Sequence, residues 1–294
     1  MATISALVRF RDDADTLPAV LAALRAQKRV PDELIGVDTG SRDDSTALVR
    51  GAGGQIVPWE HRYEPAAVLN AGLAACQGEL VLICSSHTVL QDPGTVADLA
   101  ACFEDPEVVA ASLAWDDKPD PGTRIDAEAL RRAGLRFGSY YSNSMGMLRR
   151  SAWERRPFVT GWPHAAEDYR WVVEEILDGG VAHRLRRPFG WLRNDKPWPE
   201  TYRVACMVFS VASRSRVPLH WKGVRGSLGA LRRALGGVLR SAGRDARSRR
   251  DVVVHSARIV ARWTWRLHPA RQPAVSPGSA PHQVTSSESE VHAR

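Results

Sequence analysis

The sequence predicts an α/β fold, a mainly parallel sheet with helices on both faces. Three observations support this. Short apolar runs of strand type recur at residues 3–10, 33–38, 55–58, 79–84 and 108–114. Between them lie segments whose apolar residues are spaced three or four apart. Turn residues such as Pro31-Asp32, Gly78 and Pro93 separate the two kinds of segment. Strands alternating with amphipathic helices pair in parallel and cover both faces of the sheet.

Residues 3–10 form the first expected strand. Leu17, Val20, Leu21 and Leu24 give the helical stripe of the segment from Asp12 to Gln27. The run Glu33-Leu34-Ile35-Gly36-Val37 is a second strand and ends abruptly in Asp38. A helix over about 43–51, a strand at Gln55–Pro58 and a helix from Ala66 to Cys76 come next. The strand Glu79–Cys84 follows Gly78, and Pro93 sits in the first turn of a helix reaching to about Phe103. Val108–Ala114 is the next strand. After Pro119-Asp120-Pro121-Gly122 the pattern changes to a polar helix over about 124–134, a strand over 140–149, a short helix at Ser151–Glu154 and a longer helix from Glu167 to Leu177. Gly179-Gly180 ends that last helix. Helical patterns dominate from Thr201 to Leu267, and the polar, Pro- and Ser-rich stretch from Gln272 is expected to be disordered.

At 294 residues, 44% of them hydrophobic, the chain can bury a sizeable core. No apolar run approaches the roughly 20 residues that span a bilayer. The amino terminus reads as a strand and not as a secretion signal, so the expected setting is the cytoplasm. Cys76, Cys84, Cys102 and Cys206 are scattered, which favours free thiols over a disulfide framework or a zinc site. The net charge of +7 is uneven: residues 217–271 hold 13 Lys or Arg against only Asp245 and Asp251. The expected organisation is a catalytic-type domain over 1–215, a basic helical extension over 216–271 and a tail over 272–294.

The segment around Asp38 is the most informative. A carboxylate at the carboxyl end of a buried strand, beside a helix amino terminus, is where open α/β sheets bind nucleotides. Asp38 and Ser41 equally suit an ordinary strand–turn–helix corner, as turn and cap residues. Asp168 has two readings as well: acidic groups in a helix's first turn complement its dipole, and a carboxylate so placed can act as a general base.

Four segments, in order, resemble the family 2 glycosyltransferases of the GT-A fold, closest to rhamnosyltransferase-like members. They are Leu7-Val8-Arg9-Phe10-Arg11 with the helix after it; Val37-Asp38-Thr39-Gly40-Ser41; Tyr63 to Gly72 with Ala75 to Val81; and Tyr141 to Phe158 followed by Ala166-Glu167-Asp168. They run over residues 3–195. The resemblance implies a GT-A-type, Rossmann-like sheet and transfer of a hexose or deoxyhexose from a nucleoside diphosphate sugar to an acceptor hydroxyl, with inversion, in cell-surface glycan or glycoconjugate synthesis. It implies that Arg9, Asp38, Ser41 and Asn70 lie at the donor nucleotide, with Asp38 hydrogen-bonding the base. Asn143 and Glu167 would contact sugar or acceptor, and Asp168 would remove the acceptor proton. Asn70 equally suits a residue that only anchors its helix, Arg149 and Arg150 suit surface charges equally well, and Trp153 and Trp171 read as packing residues.

The chain departs from the family where an Asp-x-Asp usually holds a divalent cation against the diphosphate. It has Ser85-Ser86-His87. Carboxylates are the natural ligands of magnesium or manganese. His87 can ligate manganese or hydrogen-bond a phosphate, and Arg193 could supply positive charge without metal. Metal use and metal independence both remain open at this point. The departure also leaves room for a non-catalytic binding protein on the same fold. A nucleotidyltransferase on a related sheet is a third reading, which Glu167-Asp168 and the acceptor-side segment oppose.

The basic extension has two amphipathic stretches. Leu231, Leu235, Val238 and Leu239 line one; Val253, Ile259, Val260 and Trp263 line the other. Basic amphipathic helices can lie on an anionic membrane, which would suit a lipid-linked acceptor and a peripheral position at the inner face. A helical pair packed on the domain fits equally, and no nucleic-acid-binding motif is present. Membrane contact through residues 217–267 is therefore an expectation alongside a glycan or lipid-linked acceptor.

Overall fold

β1, Ile4–Phe10, is an interior strand of the sheet, with parallel neighbours on both sides. A computed structural model describes residues 1–114, 124–135, 140–161, 167–192, 198–215, 217, 223–240 and 246–264. The elements are β1, α1 (Leu17–Arg25), β2 (Glu33–Asp38), α2 (Ser45–Gly51), β3 (Gln55–Pro58), α3 (Pro65–Ala75), β4 (Leu80–Ser85), β5 (Thr88–Leu90), α4 (Thr95–Ala101), β6 (Val108–Leu113), β7 (Arg124–Ile125), α5 (Ala127–Ala133), β8 (Met145–Arg149), α6 (Arg150–Arg155), α7 (Glu167–Leu177), β9 (Val181–Leu185), β10 (Phe189–Trp191), α8 (Trp198–Ser215), α9 (Gly223–Arg240) and α10 (Ala246–Thr264).

Eight strands make one sheet in the order β3-β2-β1-β4-β8-β6-β9-β7. The first four are parallel, β8 runs antiparallel between β4 and β6, and β7 is an antiparallel edge. The mainly parallel sheet is thus the one expected. Alternation along β1 separates its faces: Ile4, Ala6, Val8 and Phe10 pack with α1, α2 and α4, whereas Leu7 packs with α3 and α7. α8 joins the second of these cores through Met207, Val208 and Val211.

The chain differs from expectation where pairing overrides local pattern. Residues 124–134 do not form one helix. Arg124 and Ile125 pair with His183 and Ala182, and α5 starts at Ala127 because the Asp126 carboxylate accepts the Ala129 N–H at 2.8 Å. The strand expected over 140–149 starts only at Met145, since Tyr140 has φ 89° and the Met145 N–H turns back to the Ser142 carbonyl. β5, β9 and β10 are too short or too polar to signal themselves; β5 and β10 form a separate antiparallel pair. α1 starts at Leu17, later than Asp12, because Thr16 and Leu17 turn onto the Asp13 carbonyl. The tail beyond 271 lies outside the described residues.

Gly72 lets α3 approach the sheet: a Cβ there would stand 2.5 Å from Leu7 Cδ1 and 2.6 Å from Val37 Cγ2. Alanine would add roughly 1 kcal/mol of helix propensity. Overpacking costs about 1–3 kcal/mol against that gain. Gly72→Ala should therefore lower the urea midpoint of unfolding, and an unchanged or raised midpoint would show that α3 can move away without cost.

Candidate active site

β1, β2 and β4 run in parallel, so their carboxyl ends share one edge. In register, Arg9 stands opposite Val37 and Ser85, and Phe10 stands opposite Asp38. β8 is antiparallel, so its beginning reaches the same edge: Cys84 pairs with Met145, and the Ser85 N–H donates to the Ser144 carbonyl at 3.0 Å. Asn143 therefore sits at the end of β4 despite a separation of some 58 positions in the chain. The Asn143 N–H donates to Asp168 Oδ2 at 2.9 Å, which fixes the start of α7 there too.

The loops after β1 and β2 are laced together. The Asp13 N–H donates to Ser45 Oγ, the Ala14 N–H to the Asp43 carboxylate, the Arg42 N–H to Asp12, and the Asp12 N–H to Ser41 Oγ. Asp38 holds its own turn: Oδ1 accepts from Gly40 N–H and Ser41 N–H, and Oδ2 accepts from the Thr46 hydroxyl at 2.8 Å. Partial burial pushes the Asp38 carboxyl up, but the bonds from Ser41, Thr46 and Gly40 outweigh it and hold the group below its usual range. A carboxylate has about four acceptor positions. The Ser41 hydroxyl bonds Asp38 as well, so the turn engages both carboxylate oxygens and the corner role is fully formed. Ser41 is committed to the Asp12 backbone.

Asn70 is placed differently from a nucleotide contact. Its carbonyl oxygen accepts from Trp153 Nε1 at 2.9 Å and from the Phe158 N–H at 3.1 Å, and its amide donates to the Phe158 carbonyl at 2.8 Å. The geometry gives it a bracing role between α3 and the end of α6. Arg149 and Arg150 cap main-chain carbonyls of residues 103, 105, 108 and 78, and are not at the site edge. Trp171 is buried in the core and Trp153 lies at its margin. Arg193 lies outside the described residues.

Glu167 and Asp168 differ sharply. Asp168 is half-buried and accepts the Tyr169 N–H on Oδ1 as well as the Asn143 N–H on Oδ2. Glu167 is buried and accepts from Asn143 Nδ2 at 3.3 Å. Burial and the adjacent Asp168 charge push its carboxyl up to about 7, against the pull of Arg9 and Asn143. Arg9 also lies over the Tyr63 ring at 5.6 Å. Among the described residues, Glu167 Oε2, Asn143 Oδ1 and the Tyr141 hydroxyl are buried with no hydrogen-bond partner. Buried polar atoms are usually paired, so three orphans beside Asp168 leave unused hydrogen-bonding capacity at this edge. Burial and the charges of Asp168 and Glu167 also push the Tyr141 phenol well above its ordinary value. Tyr141 was visible in the sequence only as part of a motif, and nothing in its spacing singled it out.

A second unforeseen arrangement orients His87. Ser86 is buried, donates to Asp13 Oδ2 at 2.7 Å, and lies 3.1 Å from His87 Nδ1. A carboxylate can only accept, so the Ser86 proton points at Asp13 and its oxygen is left to accept Nδ1–H. For a cation this edge still supplies only one imidazole and two hydroxyls in place of two carboxylates. Among the described residues no three His, Cys, Asp or Glu gather as metal ligands. Hard divalent cations need several oxygen donors, so these residues do not form a resident cation site by themselves.

The sequence model described as Glycosyl transferase family 2 matches residues 5–157, just over half of the chain. The chain belongs to this family. A TPR repeat-containing protein of Synechococcus elongatus is 26% identical over 204 residues, covering 67% of this chain and 49% of that protein. The chain thus spans about half the length of this curated relative. Among solved structures, a mannosyltransferase from Pyrobaculum calidifontis, in complex with GDP-Man and Mn2+, superposes with TM-score 0.65 at 17% identity, covering 90% of this chain and 86% of that one. Glucosyl-3-phosphoglycerate synthase from Mycobacterium tuberculosis, with Mn2+, UDP-glucose and phosphoglyceric acid, gives 0.54 at 16% identity, covering 74% and 81%. At these identities the likeness is one of fold, and that fold is GT-A. The family match ends before α7, so the Glu167–Asp168 pair reaches the family edge through the Asn143 bond.

The Glu167 geometry has a consequence for stability. Its folded-state value is raised above its ordinary 4.5 to about 7, so the native state holds more protons than the unfolded chain between those limits. Stability from this group is full below about 4.5 and is lost as pH rises to about 7. Thermal melting of the wild type should fall across that window, and Glu167→Gln should flatten the fall and melt higher than wild type above pH 7. Parallel pH curves for the two proteins would show that Glu167 ionises freely in the fold.

Proposed function

We propose that the protein transfers a hexosyl or deoxyhexosyl group from a nucleoside diphosphate sugar to an acceptor hydroxyl, with inversion at the anomeric carbon. The observation that supports it best is the placement of Asp168. The Asn143 N–H holds this carboxylate at the edge where β1, β2 and β4 end, beside a set of orphaned polar atoms suited to sugar hydroxyls. Asp38 and its braced turn would receive the nucleoside, and Arg9 would face the negative charge of Glu167 or of the donor.

Direct displacement needs a group that takes the acceptor proton while the anomeric carbon is attacked. Asp168 is that base in this reading. The Asn143 and Tyr169 N–H groups hold its two oxygens in place, which costs little reorganisation in the transition state. Glu167, raised to about 7, is mostly protonated below neutrality and can donate Oε2–H to a sugar or acceptor oxygen while Asp168 stays the acceptor. The setting is glycan or glycoconjugate synthesis, with a glycan or lipid-linked acceptor. The GDP-mannose and UDP-glucose of the structural neighbours, and the rhamnosyltransferase resemblance, define the donors to try first.

A second reading is a donor-binding protein without turnover, favoured by Ser85-Ser86-His87 in place of two carboxylates. The two separate in one assay. The protein is incubated with UDP-, GDP- and dTDP-sugars, with manganese or with chelator, and nucleoside diphosphate release is followed. Asp168→Asn should cut release by about 10²–10⁴ while donor binding by calorimetry is kept. Binding without release in the wild type would favour the second reading, and absence of binding to every donor would reject both.

A further inference from the structure

The charge excess of residues 217–271 and their helical pattern left two amphipathic stretches as candidates for membrane contact. The fold separates them. α10 packs against both α8 and α9, so it is an inner layer. Its Ala257 and Ala261 are fully buried, and Ala261 packs with Ala205, Cys206 and Phe209 of α8. Burial also pushes the Arg258 guanidinium down to about 10. α10 therefore lies between α8 and α9, with Val260 as its exposed apolar side chain among the described residues.

α9 is the outer layer, and its apolar sector is wider than its packing needs. Ala234 is buried and Leu231 and Val238 are half-buried, which defines the stripe turned to α10. Leu228, Leu235 and Leu239 fall at i, i+7 and i+11, a second stripe beside the first. They are 49%, 46% and 80% exposed. Arg232, which is exposed, lies on the flank of this second stripe, away from the packed one. Three exposed leucines in one row flanked by Arg232, in a region with an excess of positive charge, fit a surface that is apolar just below a layer of anionic headgroups. A protein partner would have to match the same charge, and a second copy of this chain would bring two basic faces together.

We infer that the Leu228–Leu235–Leu239 row of α9 docks on an anionic lipid surface, with α10 holding it clear of the sheet. This inference does not depend on sugar transfer, so it can fail or stand apart from the proposed function.

The test uses the full chain and sedimentation with vesicles of phosphatidylcholine alone or with about one-third phosphatidylglycerol, at about 0.1 M and 0.5 M salt. The wild type should pellet with the anionic vesicles, less at the higher salt, and stay in solution with the neutral ones. The double variant Leu235→Asn and Leu239→Asn should bind the anionic vesicles at least about tenfold more weakly, since it loses the apolar contact while keeping every arginine. An unchanged melting temperature shows that the variant is folded, as expected for exposed positions. The inference is overturned if the wild type does not bind anionic vesicles. It is equally overturned if the variant binds as tightly as wild type, which would make the attraction purely electrostatic. A wild-type dimer in sedimentation velocity that the double variant turns into a monomer, without vesicle binding, would assign the row to a second copy.

Discussion

Everything at the candidate site depends on one pairing: the antiparallel seam of β8 against β4. Parallel strands deliver their carboxyl ends to a common edge, and a reversed strand delivers its beginning there. Because β8 is reversed, the Ser142–Ser144 turn lies over Ser85, and its Asn143 N–H captures Asp168. α7 contributes its core face through Val172, Val173 and Ile176 and its amino terminus through Glu167 and Asp168. Without the seam, the acidic pair would be an ordinary first turn complementing a helix dipole.

The same edge shows a division of labour among carboxylates. Asp12, Asp13, Asp38 and Asp43 are mostly engaged in holding loops. They satisfy backbone N–H groups and hydroxyls where two connections run side by side without a ladder between them. Such bonds make a rigid rim from short polar side chains, as loops with little apolar burial require. Glu167 is the exception. It is buried with a raised value, so its charge is costly and its proton is retained near neutrality. Satisfied aspartates and one partly unsatisfied glutamate thus divide the carboxylates of this edge.

Local pattern made much of the fold legible. β1, β2, β3, α3 and β4 carry uninterrupted apolar runs or clean helical spacing, and each was readable within a residue or two. The failures have a common cause. β7, β9, β5 and β10 are polar or very short, and they exist as strands because a neighbour offers hydrogen bonds; Arg124 and Ile125 have no strand signal apart from His183 and Ala182. At the candidate site, Asp38 and Asp168 stand where the sequence puts them, at a strand end and a helix start. Asn70 looked like a ligand contact for the same kind of reason, but its partners, Trp153 and Phe158, are more than 80 residues away in the chain. Ser86 and Asp13 were invisible as a pair for that reason too.

The sequence by itself determined the α/β alternation, the family, the turn built on Asp38 and the unequal distribution of charge. These follow from composition and spacing over short windows, where side-chain period and turn chemistry act locally. Tertiary structure decided which carboxylate is buried, which imidazole nitrogen of His87 faces Ser86, that Asn70 braces, and which of two basic helices faces outward. Those outcomes turn on desolvation and on hydrogen bonds between distant segments, and neither quantity exists until the chain has folded.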